Sequence, residues 1–355
     1  MKNLSDYKEE INKCSKCGLC QSICPIYKLT GNDCAVSRGK FVMLEGVLKG
    51  DLKLNKNINK YLDMCLKCGK CSEFCPSGID VCKIFEAAKY EYAKNTFLGK
   101  FIFFLESKFV FGNILKFFKF INKPKSLAKS KDLMQTPLKI LYFKGCAENI
   151  FPQTYKLLAK IPNIKIIEKD FDCCGIPFLS SGNLNRYEEV KEYNLKLINE
   201  AEFDYILTDC ASCESTLKGY SNLSEDKFIS LGELLVKLNV KFKFEEPLKI
   251  TFHKPCHLKN ADFVKSLFEN CENVDYIEMK NFDECCGFAG EFALKNKKIS
   301  LDISKNKAQN IAQTGAGFVI TTCPSCILGL KQGLKTTKKS VKVLTLSEFL
   351  MKAKR

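Results

Sequence analysis

The sequence lacks several patterns that would assign it to a common class of protein. No stretch approaches the roughly 18 to 20 uncharged apolar residues of a membrane-spanning helix, and the first ten residues lack the apolar core of a secretion signal. No G-x-G-x-x-G motif follows a predicted strand, so we expect neither flavin nor nicotinamide in this chain. No Arg-rich run or nucleic-acid-binding motif occurs either. These absences predict a cytoplasmic protein that binds no nucleic acid.

Cysteine, in contrast, is abundant, with 21 residues in a chain of 355. A chain of this length supports two or three domains with cores of their own. In a reducing compartment, so many thiols are better explained by metal binding than by disulfides. The formal net charge of +16 could attract an anionic membrane surface or an acidic partner. Metal clusters with thiolate ligands would offset part of that charge.

Two copies of one cysteine motif occupy the N-terminal quarter, and each reads C-x2-C-x2-C-x3-C-P. This spacing is typical of two-cluster ferredoxins, in which three cysteines wrap one [4Fe–4S] cluster and the fourth reaches the other. Zinc is disfavoured because it has no use for a third cysteine at this interval. The predicted ligands are Cys14, Cys17, Cys20 and Cys75 for the first cluster, and Cys24, Cys65, Cys68 and Cys71 for the second.

The segments around these motifs are helical in pattern. The insert between the motifs, residues 26–64, includes an apolar helical stretch at 41–48 and resembles the helical ferredoxin domain of respiratory iron–sulfur subunits. Within it, Arg38 could lie near a cluster, at a partner surface or in a surface salt bridge. Residues 97–121 are rich in phenylalanine but interrupted by lysines, which predicts one or two amphipathic helices. These helices could pack on the protein itself, on a partner or at a membrane interface, and a polar linker follows at 123–137.

The remaining chain contains a duplication with a period of about 110 residues. Residues 138–146 parallel 248–256, 172–175 parallel 284–287, and 206–213 parallel 319–326. Short apolar runs at 140–143, 205–208, 250–252 and 318–321 predict buried strands, and 187–200 predicts a helix. Alternation of this kind favours an α/β arrangement with parallel sheets. Several cysteines follow directly after predicted strands, so we expect them to converge at the carboxyl edge of each sheet.

Each repeat offers five thiols in the order C…CC…C-x2-C, which exceeds what zinc or an ordinary cubane cluster uses. One cysteine of each adjacent pair could ligate a metal while its neighbour bridges metals or stays free for thiol chemistry; buried packing residues are the alternative. The predicted metal ligands are Cys146, Cys173, Cys174, Cys210, Cys213, Cys256, Cys285, Cys286, Cys323 and Cys326.

The chain has only two histidines, His253 and His257, and both flank Cys256. Imidazole titrates near neutral pH, so they could deliver protons, ligate iron or form structural hydrogen bonds. The candidate catalytic residues are Cys285, Cys286 and His257. Three further cysteines belong to no pattern and are predicted to be packing residues: Cys34, Cys82 and Cys271.

Two ferredoxin motifs followed by two double-cysteine repeats resemble the CCG-domain iron–sulfur oxidoreductases. This family includes the glycolate oxidase iron–sulfur subunit and the corresponding subunits of anaerobic glycerol-3-phosphate dehydrogenase and heterodisulfide reductase. Residues 65–78, 253–258 and 285–290 are most similar to the glycolate oxidase protein. The resemblance implies an α+β multidomain fold, with a helical two-cluster ferredoxin domain (1–95), an amphipathic connector and linker (96–137) and two α/β CCG domains (138–245 and 246–355).

The same resemblance implies an iron–sulfur subunit of a flavin-dependent 2-hydroxy-acid dehydrogenase. Such a protein relays electrons from a separate flavoprotein, which oxidises glycolate or lactate, towards quinone or another acceptor. Its expected cofactors are two [4Fe–4S] clusters and one or two further iron–sulfur clusters at the CCG sites, noncubane [4Fe–4S] clusters among the options. Peripheral association with the inner face of the membrane stays open.

One departure from the glycolate-type pattern supports an alternative. Those proteins tend to have degraded C-x2-C pairs at the repeat ends, whereas Cys210/Cys213 and Cys323/Cys326 are complete. Complete pairs are more similar to heterodisulfide reductase, which implies a thiol/disulfide oxidoreductase with its active site at the CCG cysteines. A third interpretation is an electron-carrying adaptor whose CCG sites hold structural metal.

Overall fold

The structure is a computed structural model that describes residues 3–107, 137–145, 153–220, 223–337 and 339–354. The chain divides into two compact units. The first unit combines the N-terminal cysteine motifs with two distant segments, Gly175–Glu189 and Gly287–Ser304. The second unit contains the two repeats without those segments. The chain therefore leaves the second unit directly after each double cysteine, at Cys174 and at Cys286.

The N-terminal part of the first unit is helical. A short 3₁₀ helix, Leu4–Tyr7, precedes α1, and a second one, Asp33–Ala35, precedes α4. The α-helices are α1 (Lys8–Asn12), α2 (Leu19–Ile23), α3 (Pro25–Thr30), α4 (Ser37–Lys49), α5 (Lys56–Asp63), α6 (Lys70–Glu73), α7 (Val81–Lys94) and α8 (Phe97–Leu105).

Helix α4 explains how the insert between the two motifs folds. Phe41 and Leu44 are buried at a spacing of three residues, which places them on one face of the helix. The ring of Phe41 packs against Phe85 of α7, with 5.7 Å between the centroids. The helix ends at Gly50, whose φ of +86° is the left-handed conformation that glycine adopts without strain. The helix predicted at 41–48 is confirmed and is longer at both ends.

The second unit contains two four-stranded sheets in which all strands are parallel. The first sheet has the order β2-β1-β3-β4 and the second the order β6-β5-β7-β8. The identical order confirms the duplication and the parallel α/β fold. The strands are β1 (Leu138–Tyr142), β2 (Ile164–Glu168), β3 (Tyr205–Thr208), β4 (Phe228–Ser230), β5 (Phe242–Phe252), β6 (Cys271–Tyr276), β7 (Phe318–Thr321) and β8 (Lys342–Thr345).

Helices connect the strands, as parallel pairing requires. They are α9 (Thr154–Leu158), α10 (Ile176–Ser181), α11 (Leu184–Asn199), α12 (Ala211–Lys218), α13 (Leu231–Lys237), α14 (Phe263–Glu269), α15 (Glu291–Lys295), α16 (Lys297–Thr314), α17 (Pro324–Leu334) and α18 (Leu346–Leu350). The last helix of each repeat begins with the same capping box, formed by Ser230 with Glu233 and by Thr345 with Glu348.

The phenylalanine-rich connector is described only in part. Helix α8 buries Gly99, whereas Phe97 is 88% exposed and Phe101 and Phe104 are at least half exposed. The second predicted helix and the polar linker lie at 108–136, outside the described residues. Within the described ranges, no helix combines the length and the apolar character needed to cross a membrane.

Candidate metal centres

The first candidate centre is a cavity in the first unit where the two cysteine motifs meet. Four of its lining residues are the predicted ligands of the first cluster, three from the first motif and one from the end of the second. The structure thus places Cys75 in the same cavity as the leading cysteines of the other motif. The cysteines that line the cavity are Cys14, Cys17, Cys20, Cys71 and Cys75.

The second candidate centre is a neighbouring cavity with the reciprocal composition. Cys24, from the end of the first motif, lies with the three leading cysteines of the second motif. Two residues line both cavities, Ser37 and Cys71, so the two centres are adjacent. The cysteines that line this cavity are Cys24, Cys65, Cys68, Cys71 and Cys82.

The two motif loops share an unusual backbone pattern. Lys16 and Lys67, each directly before a cysteine, have φ values of +57° and +53°, and Gly18 and Gly69, each directly after it, have φ values of +84° and +77°. Left-handed residues that alternate with cysteines turn successive N–H groups towards one side of the loop, and such concave backbone binds anions. A thiolate-ligated cluster carries net negative charge, so these loops fit one.

The N-terminus of α4 faces both cavities with polar and basic side chains. Arg38 lines the first cavity, with its guanidinium 3.5 Å from the Gln21 side-chain oxygen, and Lys40 lines the second. The partial positive charge of a helix N-terminus adds to these cations and favours an anion. Arg38 was one of the candidates from sequence. Lys40 and Ser37 were missed, because nothing in the sequence tells which lysine of a Lys-rich chain is buried.

Lys40 is buried, 2% exposed, in a setting that calls for a negative partner. Its ammonium donates to the Met64 carbonyl at 3.1 Å and lies 5.0 Å from the centroid of the Phe85 ring. No carboxylate pairs with it among the described residues. A buried cation needs a counter-charge, and the thiols that line the second cavity provide one when they bind iron as thiolates. This fit supports an anionic iron–sulfur cluster in that cavity.

We expect Lys40→Met to lower the reduction potential of one cluster, because loss of a nearby positive charge disfavours the more negative, reduced state. For a unit charge about 7 Å away at an effective dielectric constant near 20, the shift is on the order of 100 mV. Redox titration monitored by electron paramagnetic resonance measures it. Lys49→Met, at the exposed end of the same helix, is the matched control. An unchanged potential in Lys40→Met would contradict this role.

Burial shapes the acidity of the N-terminal thiols. It raises the pKa of Cys71 to about 12, with the neighbouring Cys65 thiol acting in the same direction and the Ser37 hydroxyl opposing it. Burial also raises the pKa of Cys20 and Cys24. The pKa of the exposed Cys17 is lowered by a hydrogen bond from the Leu19 backbone. A metal is what stabilises buried thiolates of this kind.

Of the three cysteines outside the motifs, Cys82 lies nearest to the predicted ligands. It lies in the first turn of α7 and lines the second cavity beside four predicted ligands. Sequence reasoning missed it because it follows Cys75 at a spacing that matches no ligand motif. The thiol of Cys271 instead donates to the Leu267 carbonyl at 3.3 Å inside the second sheet, a packing role.

The cysteines of the two repeats converge in the second unit, and Cys146 lies outside the described residues. Cys210 and Cys323 lie two residues after the ends of β3 and β7, at the carboxyl edges of their sheets. These two thiols neighbour each other across the repeats, and each also neighbours the second cysteine of its own C-x2-C pair. In turn, Cys213 neighbours Cys174. The result is one connected group of buried thiols that spans both repeats.

The second repeat shows the same pairing. Cys326 neighbours Cys286, and the Cys285 thiol together with burial raises the pKa of Cys256 well above its usual value. Similarly, the Cys174 thiol, the Cys210 thiol and burial raise the pKa of Cys213. Cys213, Cys256 and Cys326 therefore resist ionisation, whereas hydrogen bonds from the Cys210 and Cys326 thiols lower the pKa of Cys323 well below its usual value. A metal centre is the natural stabiliser of their thiolate forms.

Two buried side chains fix the double cysteine of the first repeat. The Asn194 amide donates to the Cys173 carbonyl at 3.0 Å, and the Tyr220 hydroxyl donates to the Cys174 carbonyl at the same distance. Asn194 also accepts from the Asp172 amide at 2.9 Å. Such supporting hydrogen bonds orient metal ligands. Neither residue stands out in the sequence, because both are distant from the motif they support.

The remaining catalytic candidate, His257, lies near the C-x2-C pair of the other repeat. Its Nδ1 is 2.9 Å from the Ser212 hydroxyl, which is 3.7 Å from the Cys323 sulfur. A cavity lies beside this region, at the carboxyl ends of both sheets. Burial raises the pKa of its Asp209 to about 6, and a hydrogen bond from Thr154 opposes the shift. The cavity is lined by Thr208, Asp209, Ala211, Glu214, Ser230, Leu231, Leu258, Thr322, Thr345, Leu346 and Ser347.

In the first unit, the segment after the second double cysteine is held by a partly buried ionic cluster. The Lys89 ammonium is 2.9 Å from both Asp63 and Glu291, and Lys295 is 2.8 Å from Asp63 and 2.5 Å from Glu291. Burial opposes ionisation of Asp63, but Lys89 and Lys295 outweigh it and lower the pKa. Two carboxylates and two ammoniums balance in charge, which makes the burial of Lys89 and Asp63 tolerable.

Comparison with known families agrees with this arrangement. The cysteine-rich domain family, CCG, matches residues 140–218 and 250–331, one match for each sheet-forming repeat. The 4Fe-4S dicluster domain family matches residues 10–79, which include all eight N-terminal ligand candidates. The two kinds of domain together account for the cavities in the first unit and the buried thiols in the second.

Individual relatives match over nearly the whole chain. An uncharacterized iron–sulfur protein of Methanococcus maripaludis is 27% identical over 99% of this chain and 74% of its own length. A probable glycolate oxidase iron–sulfur subunit of Bacillus subtilis is 23% identical, covering 97% and 94% of the two chains. A fumarate reductase (CoM/CoB) subunit of Methanothermobacter marburgensis is 25% identical, covering 97% and 73%. All three matches extend across both the N-terminal motifs and the two repeats of this chain.

A similar fold has been seen by crystallography. A hypothetical protein from Helicobacter pylori superposes with a TM-score of 0.57 at 12% sequence identity. The superposition covers 99% of this chain and 73% of the other. At this identity the likeness concerns the fold alone, and it supports the α+β multidomain architecture.

Proposed function

The chain belongs to the CCG-domain iron–sulfur protein family, and on that premise we propose that it relays electrons from a separate flavoprotein 2-hydroxy-acid dehydrogenase to an acceptor. The substrate class is glycolate or lactate, and the acceptor is quinone or another carrier. The observation that carries the proposal is the pair of adjacent cavities that share Cys71, each lined by cysteines from both motifs. Similarity to the Bacillus subtilis glycolate oxidase protein over nearly both full lengths supports the substrate class.

In this proposal, Cys14, Cys17, Cys20 and Cys75 hold one [4Fe–4S] cluster, and Cys24, Cys65, Cys68 and Cys71 hold the other. One or two further iron–sulfur clusters belong to the ten CCG cysteines. The division into 1–95, 96–137, 138–245 and 246–355 remains our prediction for the domains. A [4Fe–4S] cluster supplies one-electron transfer when bound.

The protein side chains contribute charge and order around the clusters. The left-handed loop residues direct backbone N–H groups, and Lys40 and Arg38 place positive charge beside the cavities. Hydrogen bonds and charge of this kind tune reduction potentials. Nothing in the sequence resembles a flavin site, so oxidation of the substrate takes place in the partner. Cytoplasmic location, with peripheral contact to the inner face of the membrane, fits electron delivery to quinone.

We expect the natively purified complex to contain a flavoprotein and to reduce an artificial dye when glycolate or D-lactate is added. Purification under anaerobic conditions, followed by flavin analysis and dye-reduction assays, measures both. The complex prepared in the same way with Cys68→Ala should still contain the flavoprotein. It should lose the part of the dye reduction that requires electron transfer through this chain. A complex without flavin, or one that ignores both acids, contradicts the proposal.

A thiol/disulfide oxidoreductase is the second candidate, and one observation favours it. The thiols from Cys174 to Cys286 form a connected buried group across both repeats, and a cavity lies beside it. The Methanothermobacter marburgensis relative, by its name a fumarate reductase (CoM/CoB) protein, is compatible with redox chemistry other than 2-hydroxy-acid oxidation. Here Cys285, Cys286 and His257 are the catalytic candidates.

This second function predicts an electron paramagnetic resonance signal that appears only when the oxidised protein meets a thiol substrate. The signal should persist when Cys68 is replaced, since that residue lies at the second ferredoxin cavity, and should vanish in Cys286→Ser. A thiol-independent signal, or none over a panel of thiols, would leave the electron-relay function as the better explanation.

A further inference from the structure

His253 is a fully buried imidazole that directly follows β5. Both of its ring nitrogens are shielded from solvent, and neither makes a well-formed hydrogen bond within the described residues, although the Phe282 backbone lies near the ring. An unsatisfied buried polar group destabilises the fold, and buried polar groups in native proteins are nearly always paired. The imidazole is therefore available to a ligand at this position.

Two thiols lie where such a partner would bind. One ring nitrogen of His253 and the sulfurs of Cys286 and Cys326 all lie within 4.8 Å of one another, and all three residues are buried. Cys286 is the second member of the double cysteine, and Cys326 lies in the first turn of α17. Tetrahedral sites with sulfur and nitrogen ligands have metal–ligand distances of about 2.0–2.3 Å, so these atoms need only a small inward movement to reach one metal.

The first repeat differs at this position. Phe143 is the counterpart of His253, because its amide donates to Leu207 of β3 at 2.9 Å as the His253 amide donates to Ile320 of β7 at 2.9 Å. Phe143 is fully buried, and its ring centroid lies 4.7 Å from that of Phe171. A phenyl ring offers no ligand atom. The two repeats have the same backbone but different donor sets.

We propose that His253 is a nitrogen ligand of the iron centre in the second repeat, together with Cys286 and Cys326. The second repeat then holds a mixed nitrogen–sulfur centre, whereas the first holds a sulfur-only centre. Replacement of thiolate by neutral imidazole makes the centre less negative, which raises its reduction potential. The inference rests on the iron site proposed above for the second repeat, but not on the flavoprotein partner or its substrate.

The chain has only two histidines, which makes a decisive test simple. The full-length protein is produced with ¹⁵N-histidine, and pulsed electron paramagnetic resonance is recorded on its oxidised and reduced forms. We expect a coupling from a directly bonded imidazole nitrogen in the wild type and in His257→Gln. The coupling should be lost in His253→Phe, which carries the residue of the first repeat.

Folding of His253→Phe is checked by circular dichroism. If that variant does not fold, the reciprocal variant Phe143→His is used, which should add a second nitrogen coupling beside Cys174 and Cys213. The inference is overturned if the coupling persists in His253→Phe, if Phe143→His adds none, or if the wild type shows none. Iron analysis that finds only the two ferredoxin clusters also overturns it. Dye reduction with glycolate tests the proposed function separately, so either can fail alone.

Discussion

The Cys75→Ala/Cys14→Ala double variant should contain as much iron as Cys75→Ala alone, whereas Cys75→Ala/Cys65→Ala should lose the iron of both N-terminal clusters. The physical reason is shared ligation. Cys75 lines the same cavity as Cys14, although it belongs to the motif of Cys65. Two substitutions among the ligands of one cluster cost only the iron of that cluster. One substitution in each ligand set costs the iron of both clusters. Iron and acid-labile sulfide analysis of the anaerobically purified proteins measures the effect.

In the reciprocal set, Cys24→Ala/Cys65→Ala should contain as much iron as Cys24→Ala alone. Cys24→Ala/Cys14→Ala should instead lose the iron of both N-terminal clusters. Cys271→Ala is the control, since its thiol lies inside the second sheet and lines neither cavity. The opposite pattern, with Cys75 and Cys65 behaving as one unit, would mean that each motif holds its own cluster. The ligand assignment given above would then be wrong.

A second large effect is expected from Lys89→Met, which leaves Asp63 and Glu291 buried with only Lys295 to neutralise them. Removal of one partner from a buried ionic pair costs about 3–5 kcal/mol. Lys89 also donates to the Ser180 carbonyl, which loses its donor in the variant. We expect the free energy of opening of α7 and α15 to fall by this amount, measured as faster amide hydrogen exchange in both helices.

Lys83→Met is the matched control, because Lys83 lies on the same helix and pairs with Asp80 in an exposed position. Exposed pairs contribute less than about 1 kcal/mol, so exchange in α7 should change little. Equal changes in hydrogen exchange for Lys89→Met and Lys83→Met would show that the ionic cluster stabilises α7 no more than an exposed ion pair does.

The contribution of Asp63 also has a defined pH dependence. Its pKa is lowered in the folded state, so its stabilisation is fully present above its unfolded pKa of about 3.9. That stabilisation is lost as the pH falls through the lower folded pKa. The difference in hydrogen exchange between the wild type and Lys89→Met should therefore narrow below about pH 4.

Much of the architecture could be predicted because it repeats. The strands at 205–208 and 318–321 were predicted with their observed bounds, since apolar runs before a cysteine occur twice. Strand β5 begins earlier than predicted, at Phe242. There Phe242 and Phe244 are buried while Lys243 and Glu245 are exposed. Two apolar residues that alternate with two charged ones make too short a pattern to distinguish a strand from a loop in the sequence.

The candidate site shows what spacing alone does not reveal. Cysteine intervals indicate which residues bind iron, but they carry no information on the side chains that come from elsewhere in the chain. Lys40, Asn194 and Tyr220 reach the cysteine-containing loops only through the folded packing of distant segments. Cys82 was interpreted as a packing residue for the same reason. Burial and proximity had to be seen to recognise these four residues.

The discontinuous composition of the first unit limits how the chain can be dissected. A fragment that stops before β1 keeps both ferredoxin motifs but loses Gly175–Glu189 and Gly287–Ser304. In such a fragment Lys89 loses its salt bridge to Glu291, and the Glu106 carboxylate loses the hydrogen bonds from Ser181 and Asn183. No single cut in the polypeptide separates the two units intact.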